Sequence, residues 1–201
     1  MRVVSLLSSL TETVCALGCE DLLVGRSHEC DFPESIRNLP KCTEPKFPTD
    51  GTSYEIDQRI RAILQEGLSV YRVHAEILDE LRPDLILTQT QCEVCAVSLD
   101  DVQDAVCRMV SSRPRILSVE PNSLRDVFDG VRRVAAALEC PERGQALIES
   151  MQARMAAEAE QGQMATRVPL VAHIDGIDPA LIVWNWVPEL AAIANGENLF
   201  G

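Results

Sequence analysis

The stretch Arg2–Arg26, RVVSLLSSLTETVCALGCEDLLVGR, decides the fold. Its opening aliphatic run, Arg2–Leu7, reads as a buried strand, because parallel strands covered on both faces show continuous Val, Ile and Leu rather than alternation. Ser9-Leu10-Thr11-Glu12 then has the spacing of a capping box, which predicts a helix from there through Leu17, stopped by Gly18. Leu22–Arg26 reads as a second strand. Strand, helix and strand in so short a stretch leave room only for a crossover between parallel neighbours, so the sheet is expected to be parallel.

Working outward, Ser27–Thr52 carries Pro33, Pro40, Pro45, Pro48 and Gly51 and reads as a long loop. Connections of that length in compact proteins usually serve function. Helical spacing through Ile56, Ile60, Ile63 and Leu64 predicts a helix over Tyr54–Glu66, and Ala75–Leu81 a shorter one. Pro83-Asp84 launches a third strand at Leu85–Thr88; Leu99–Val110 is read as a helix and Arg115–Val119 as a fourth strand. Residues 124–162 read as nearly continuous helix, with a break or kink at Pro141, since proline inside a helix removes a donor and clashes with the preceding turn. Val168–Ile174 and Leu181–Trp184 are read as strands and Pro188–Asn195 as a short helix. The predicted fold class is α/β: a parallel-sheet N-terminal lobe (about 1–120), a long helical connector (121–163) and an incomplete second α/β lobe (164–201).

Composition narrows the function classes. The 201 residues carry a net charge of −13, which repels phosphate backbones and argues against nucleic acid as a partner. No run approaches the roughly eighteen apolar residues of a membrane span, so the chain is not expected to cross one. Ser5, Ser8, Ser9, Thr11 and Glu12 interrupt the apolar character of the N-terminus, which reads as strand entering helix rather than as an export signal. Neither Gly-x-Ser-x-Gly, nor a P-loop, nor Gly-x-Gly-x-x-Gly is present, so the chain is not expected to be a hydrolase, NTPase or dehydrogenase. Eight cysteines stand in a chain too long and too regular for a disulfide scaffold, and most are expected to be reduced.

Two segments carry candidate chemistry. Ser27-His28-Glu29-Cys30-Asp31 leaves the second strand, and Gln91-Cys92-Glu93-Val94-Cys95-Ala96 leaves the third. Ligands in open parallel sheets sit beyond the carboxyl ends of strands, so both segments are expected to face one cleft. Three readings stay open: reduced structural thiols, a redox pair at Cys92 and Cys95, or metal contact. For the last, His28, Cys30, Cys92 and Cys95 offer three sulfurs and one nitrogen, a set zinc accepts tetrahedrally. Trp184-Asn185-Trp186 holds both tryptophans of the chain and reads either as core or as an aromatic wall for a large flat ligand. His74 and His173 read as satisfied structural groups.

These residues resemble a known family. Val3–Glu12 with Ala16-Leu17-Gly18, and Leu81-Arg82-Pro83-Asp84-Leu85-Ile86, are similar to the substrate-binding proteins of ABC transporters in the iron-siderophore and cobalamin class. Ser27–Pro33, Cys92–Ser98, Trp186–Leu190 and Gly196–Leu199 resemble its cobalamin-binding branch. The resemblance implies two α/β lobes joined by one long rigid helix, ligand capture between them, and docking on an ABC permease. It departs from the family at Ser8, where relatives often have proline, and at Gly201, where relatives continue.

The expected function is therefore non-enzymatic binding of a corrinoid or related small-molecule metal chelate, with no cofactor required and zinc as a further possible ion. Ser8, Ser9, His28, Cys30, Cys92, Glu93 and Cys95 are expected to form one wall, Trp184 and Trp186 the other. His28 or a cysteine would ligate the metal. Alternatives are an intracellular metal or corrinoid handling protein using the same cluster, and a thiol oxidoreductase at Cys92 and Cys95. The resemblance implies an extracytoplasmic location and the missing export signal a cytoplasmic one.

Overall fold

Val3–Ser5 forms β1, at the heart of a four-stranded sheet in the order β2-β1-β5-β6, with β2 at Leu23–Arg26, β5 at Leu85–Gln89 and β6 at Arg115–Val119. Every pairing in it is parallel. The computed structural model describes residues 1–66, 68–90, 97–109, 111–183 and 185–200. Between these strands run α1 (Ser8–Ala16), β3 (Thr43–Pro45), α2 (Ser53–Gln65), β4 (Tyr71–Val73), α3 (Ala75–Leu81) and α4 (Leu99–Arg108).

The aliphatic strands are explained by two-sided burial. Successive strand residues point to opposite faces. Val3, Leu85 and Leu87 meet Leu10, Val14, Val134 and Leu138 on one face. Val4 and Ile86 meet Leu78, Val102, Ala105 and Met109 on the other. With helices on both sides, β1 and β5 are buried throughout, and the continuous aliphatic runs expected of them are found at Val3-Val4 and Leu85-Ile86-Leu87.

Several local expectations need correction. Helix α1 starts at Ser8, with Leu7 as N-cap and no side-chain cap, so the Ser9–Glu12 capping box is not made. The helix begins early enough to place Ser9 inside the first turn, where the Thr13 hydroxyl donates to the Ser9 carbonyl at 2.7 Å. The true capping boxes are Thr52 with Glu55 on α2 and Ser123 with Asp126 on the helix after β6. The long loop contains a short 3-10 turn at Glu34–Asn38 and β3, which pairs antiparallel with β4.

The connector is two helices, α5 (Leu124–Ala137) and α6 (Pro141–Gln163), not one. Glu139, with φ 61°, reverses the chain between them, and Pro141 occupies the first turn of α6, where its missing N–H costs nothing. At 23 residues, α6 is about 34 Å long. It leads to a small C-terminal α/β part: β7 (Leu170–Val171), β8 (Ile174–Ile177), β9 (Ala180–Ile182), α7 (Val187–Ile193) and β10 (Glu197–Asn198). There β7 pairs with β10 in parallel and β8 with β9 antiparallel.

Candidate functional site

Beyond the carboxyl end of β2, the turn Ser27–Cys30 is built around a buried arginine. The Arg26 guanidinium donates to the carbonyls of Ser27 at 3.1 Å, Cys30 at 2.7 Å and Arg37 at 2.7 Å. Three carbonyl dipoles hold the cation, with no carboxylate paired to it among the described residues, and they tie the turn together. The Ser8 hydroxyl donates to the Glu29 carbonyl at 3.1 Å, tying the start of α1 to the same turn.

His28 is oriented from two sides. Its backbone N–H donates to Thr43 Oγ1 at 3.1 Å, and its Nδ1 lies 2.8 Å from the same oxygen. The Thr43 hydroxyl donates to Ser27 Oγ at 3.1 Å. With the Thr43 proton directed at Ser27 Oγ, the matching tautomer has Nδ1 as the donor and the lone pair on Nε2. The Tyr71 ring stands 5.2 Å from the imidazole at 49° and covers one side.

The electrostatics keep this imidazole neutral. Burial, then the Lys41 and Arg26 cations, hold the His28 pKa below its ordinary value. Burial raises the neighbouring Glu29 carboxyl, partly offset by the Tyr71 hydroxyl, which donates to it at 3.3 Å. Tyr71 itself is pushed up to about 12, by burial first and then by Glu29, so it stays a neutral phenol. The patch therefore offers one uncharged nitrogen lone pair beside a partly shielded carboxylate.

The other predicted residues divide clearly. Ser8 joins the patch; Ser9, one residue on, is exposed in the first turn of α1. Cys30 is fully enclosed, with its Sγ 3.1 Å from Thr11 Oγ1, and burial raises its thiol pKa. It forms part of the core beneath the turn, not of its surface. Cys92, Glu93, Cys95 and Trp184 lie outside the described residues. Among the described residues no group of three or more His, Cys, Asp and Glu side chains stands close enough to hold a metal ion.

Trp186 is not brought to His28. It lines a separate groove of about 490 Å3 with Leu124, Val127, Met151, Met155 and Leu190, to which the 27–30 turn contributes nothing. His173 departs from its reading as a satisfied group, since its Nδ1 is buried without a hydrogen-bond partner among the described residues. Thr43, Tyr71 and Arg26 were missed as site residues. The alternation Tyr71-Arg72-Val73 was the available signal for a strand carrying Tyr71 inward.

A parallel α/β layer with the Ser27–Cys30 turn at its strand ends is followed by a long helix and a smaller α/β part. The family model described as periplasmic binding protein matches residues 3–200, and the chain belongs to that family. Solved structures share the fold. A periplasmic heme-binding protein of Roseiflexus sp. RS-1, in apo form, is 24% identical with a TM-score of 0.68, covering 98% of this chain and 65% of that one. The periplasmic vitamin B12 binding protein of Vibrio cholerae is 17% identical with a TM-score of 0.66, covering 100% of this chain and 66% of the other. A periplasmic heme-binding protein of Pseudomonas aeruginosa is 21% identical with a TM-score of 0.67, covering 98% and 62%. This chain thus spans a little under two thirds of their length. A search of curated proteins finds no match.

Proposed function

We propose that this protein binds a corrinoid or related metal chelate without chemical conversion, for delivery to an ABC-type permease, and that His28 Nε2 ligates the chelated metal. The observation that carries the reading is the His28 geometry: a neutral imidazole, its tautomer set by Thr43, at the carboxyl end of a parallel strand where such sheets bind ligands. A chelated metal with an open axial position needs such a donor, and a second-sphere hydrogen bond on the opposite ring nitrogen strengthens it. Membership of a binding-protein family supports the non-enzymatic role, and the vitamin B12 binding protein among its structural neighbours supports the corrinoid class.

Ser8 and Glu29 complete the wall around His28. Cys92, Glu93, Cys95 and Trp184 remain proposed ligand contacts. Zinc at His28, Cys30, Cys92 and Cys95 is the weaker proposal, because the Cys30 thiol is enclosed and held protonated by burial.

Equilibrium dialysis with hydroxocobalamin, and in parallel with ferric heme, tests the reading. Saturable retention of the corrinoid, weakened in Thr43→Val, supports it. Retention of heme alone, or of neither, contradicts the corrinoid assignment.

A further inference from the structure

Away from this site, two cysteines separated by 121 positions meet where the first α/β layer joins the connector. The sulfurs of Cys19 and Cys140 lie 3.6 Å apart, and both are free thiols. Cys19 follows Gly18, whose φ of 67° ends α1, and Cys140 is the residue just before α6. We propose that this pair is a redox modification site: a small disulfide oxidant converts it to a Cys19–Cys140 disulfide that fastens the end of α1 to the start of α6.

Three observations carry it. The gap exceeds a covalent S–S bond by only about 1.5 Å. Cys140 is half-buried and borders an open groove of about 650 Å3 lined by Gly18, Cys19, Leu138, Glu139, Pro141 and Arg143, which admits a small reagent. Cys19 is 7% exposed and sits behind it, so Cys140 is the entry point and Cys19 the resolving thiol. The Arg143 guanidinium donates to the Leu17 and Gly18 carbonyls at 3.3 and 3.2 Å and stands 3.9 Å from Cys19 Sγ.

The chemistry balances as two thiol–disulfide exchanges. Cys140 thiolate attacks one sulfur of a small-molecule disulfide, forms a mixed disulfide and expels one thiolate. Cys19 thiolate then attacks the Cys140 sulfur and expels the second. The protein gives up two electrons and two protons, and the oxidant leaves as two thiols. Burial raises the Cys140 pKa, so the first exchange quickens as pH rises. The resulting cross-link closes a very long loop, the case in which restriction of the unfolded chain is greatest.

The test uses the full chain, reduced, then incubated with oxidised glutathione at about pH 8, where more thiolate is present. After alkylation and digestion, mass spectrometry is expected to find a Cys19–Cys140 peptide about two mass units lighter than its reduced parts. Tm is expected to rise by several degrees and to return on reduction; Cys140→Ser and Cys19→Ser are expected to abolish the rise. Recovery of Cys19 and Cys140 both alkylated, both glutathionylated, or joined to other cysteines overturns the assignment. None of these outcomes depends on what the protein binds.

Discussion

Thr43 decides what His28 can do, because one hydroxyl oxygen faces the backbone N–H and the ring nitrogen of the same residue. Thr43→Val keeps the shape and removes both partners; leaving the buried side of the imidazole unsatisfied is expected to cost about 1–3 kcal/mol of stability, read from a urea midpoint. The pH dependence follows from the lowered His28 pKa. Folding favours the neutral ring, so above its ordinary value of 6.5 the ring is neutral folded or unfolded and its contribution is fully present. As pH falls below 6.5, the unfolded chain takes up the proton first, and stability drops until the folded ring protonates too. His28→Gln is expected to flatten the fall in urea midpoint over that window; an unchanged slope would remove His28 as its source. His28 stands out in the sequence because it sits in a distinctive Ser-His-Glu-Cys run after a predicted strand. Its supports, Thr43 and Tyr71, were not, because each reaches it across a β3–β4 pairing that no local pattern announces.

Among the elements, α5 and α6 cross closely enough that a Cβ on Gly144 would overlap the Ala135 methyl. In an open helix Gly→Ala is worth roughly 1 kcal/mol in favour of folding. Here the sign reverses: Gly144→Ala must push the two helices apart, and overpacking of this kind costs about 1–3 kcal/mol. Urea unfolding of that variant checks it, and a stabilised variant would show that the crossing is looser than described. Ser123→Ala is expected to cost about 1 kcal/mol through loss of the α5 capping box. The strands β1, β2, β5 and β6 and the helix α3 were readable because burial on two faces, or a proline stop, leaves a strong local mark. The early start of α1 was not readable, because Ser8 and Ser9 are equivalent by propensity and the Ser8 bond to the Glu29 carbonyl chooses between them. Pro141 did announce the break that splits the connector.

For the molecule as a whole, the two ends differ in how they bury apolar surface. The N-terminal sheet is sealed on both faces, whereas Ile174, Ile177 and Ile182 on the β8–β9 hairpin are 57%, 83% and 49% exposed. Ile177→Ser is accordingly expected to change stability by less than about 0.5 kcal/mol in this chain, since exposed positions contribute little. A larger loss would mean that the hairpin is covered in solution. No described helix is long and apolar enough to cross a membrane. The α/β class and the family were legible from β1 through β2 and from the cysteine segments. The separation of Trp186 from His28 was not, since it depends on how α7 packs against α5 and α6, a contact anchored by Glu189 accepting from the Leu124 N–H at 2.9 Å. The claim that ties these scales together is ligation of a chelated metal by His28, and visible absorbance during titration of the reduced, metal-stripped protein with hydroxocobalamin tests it most directly. The account predicts a saturable spectral shift in the wild type that is lost in His28→Ala; the same shift in both proteins, or none in either, would contradict it.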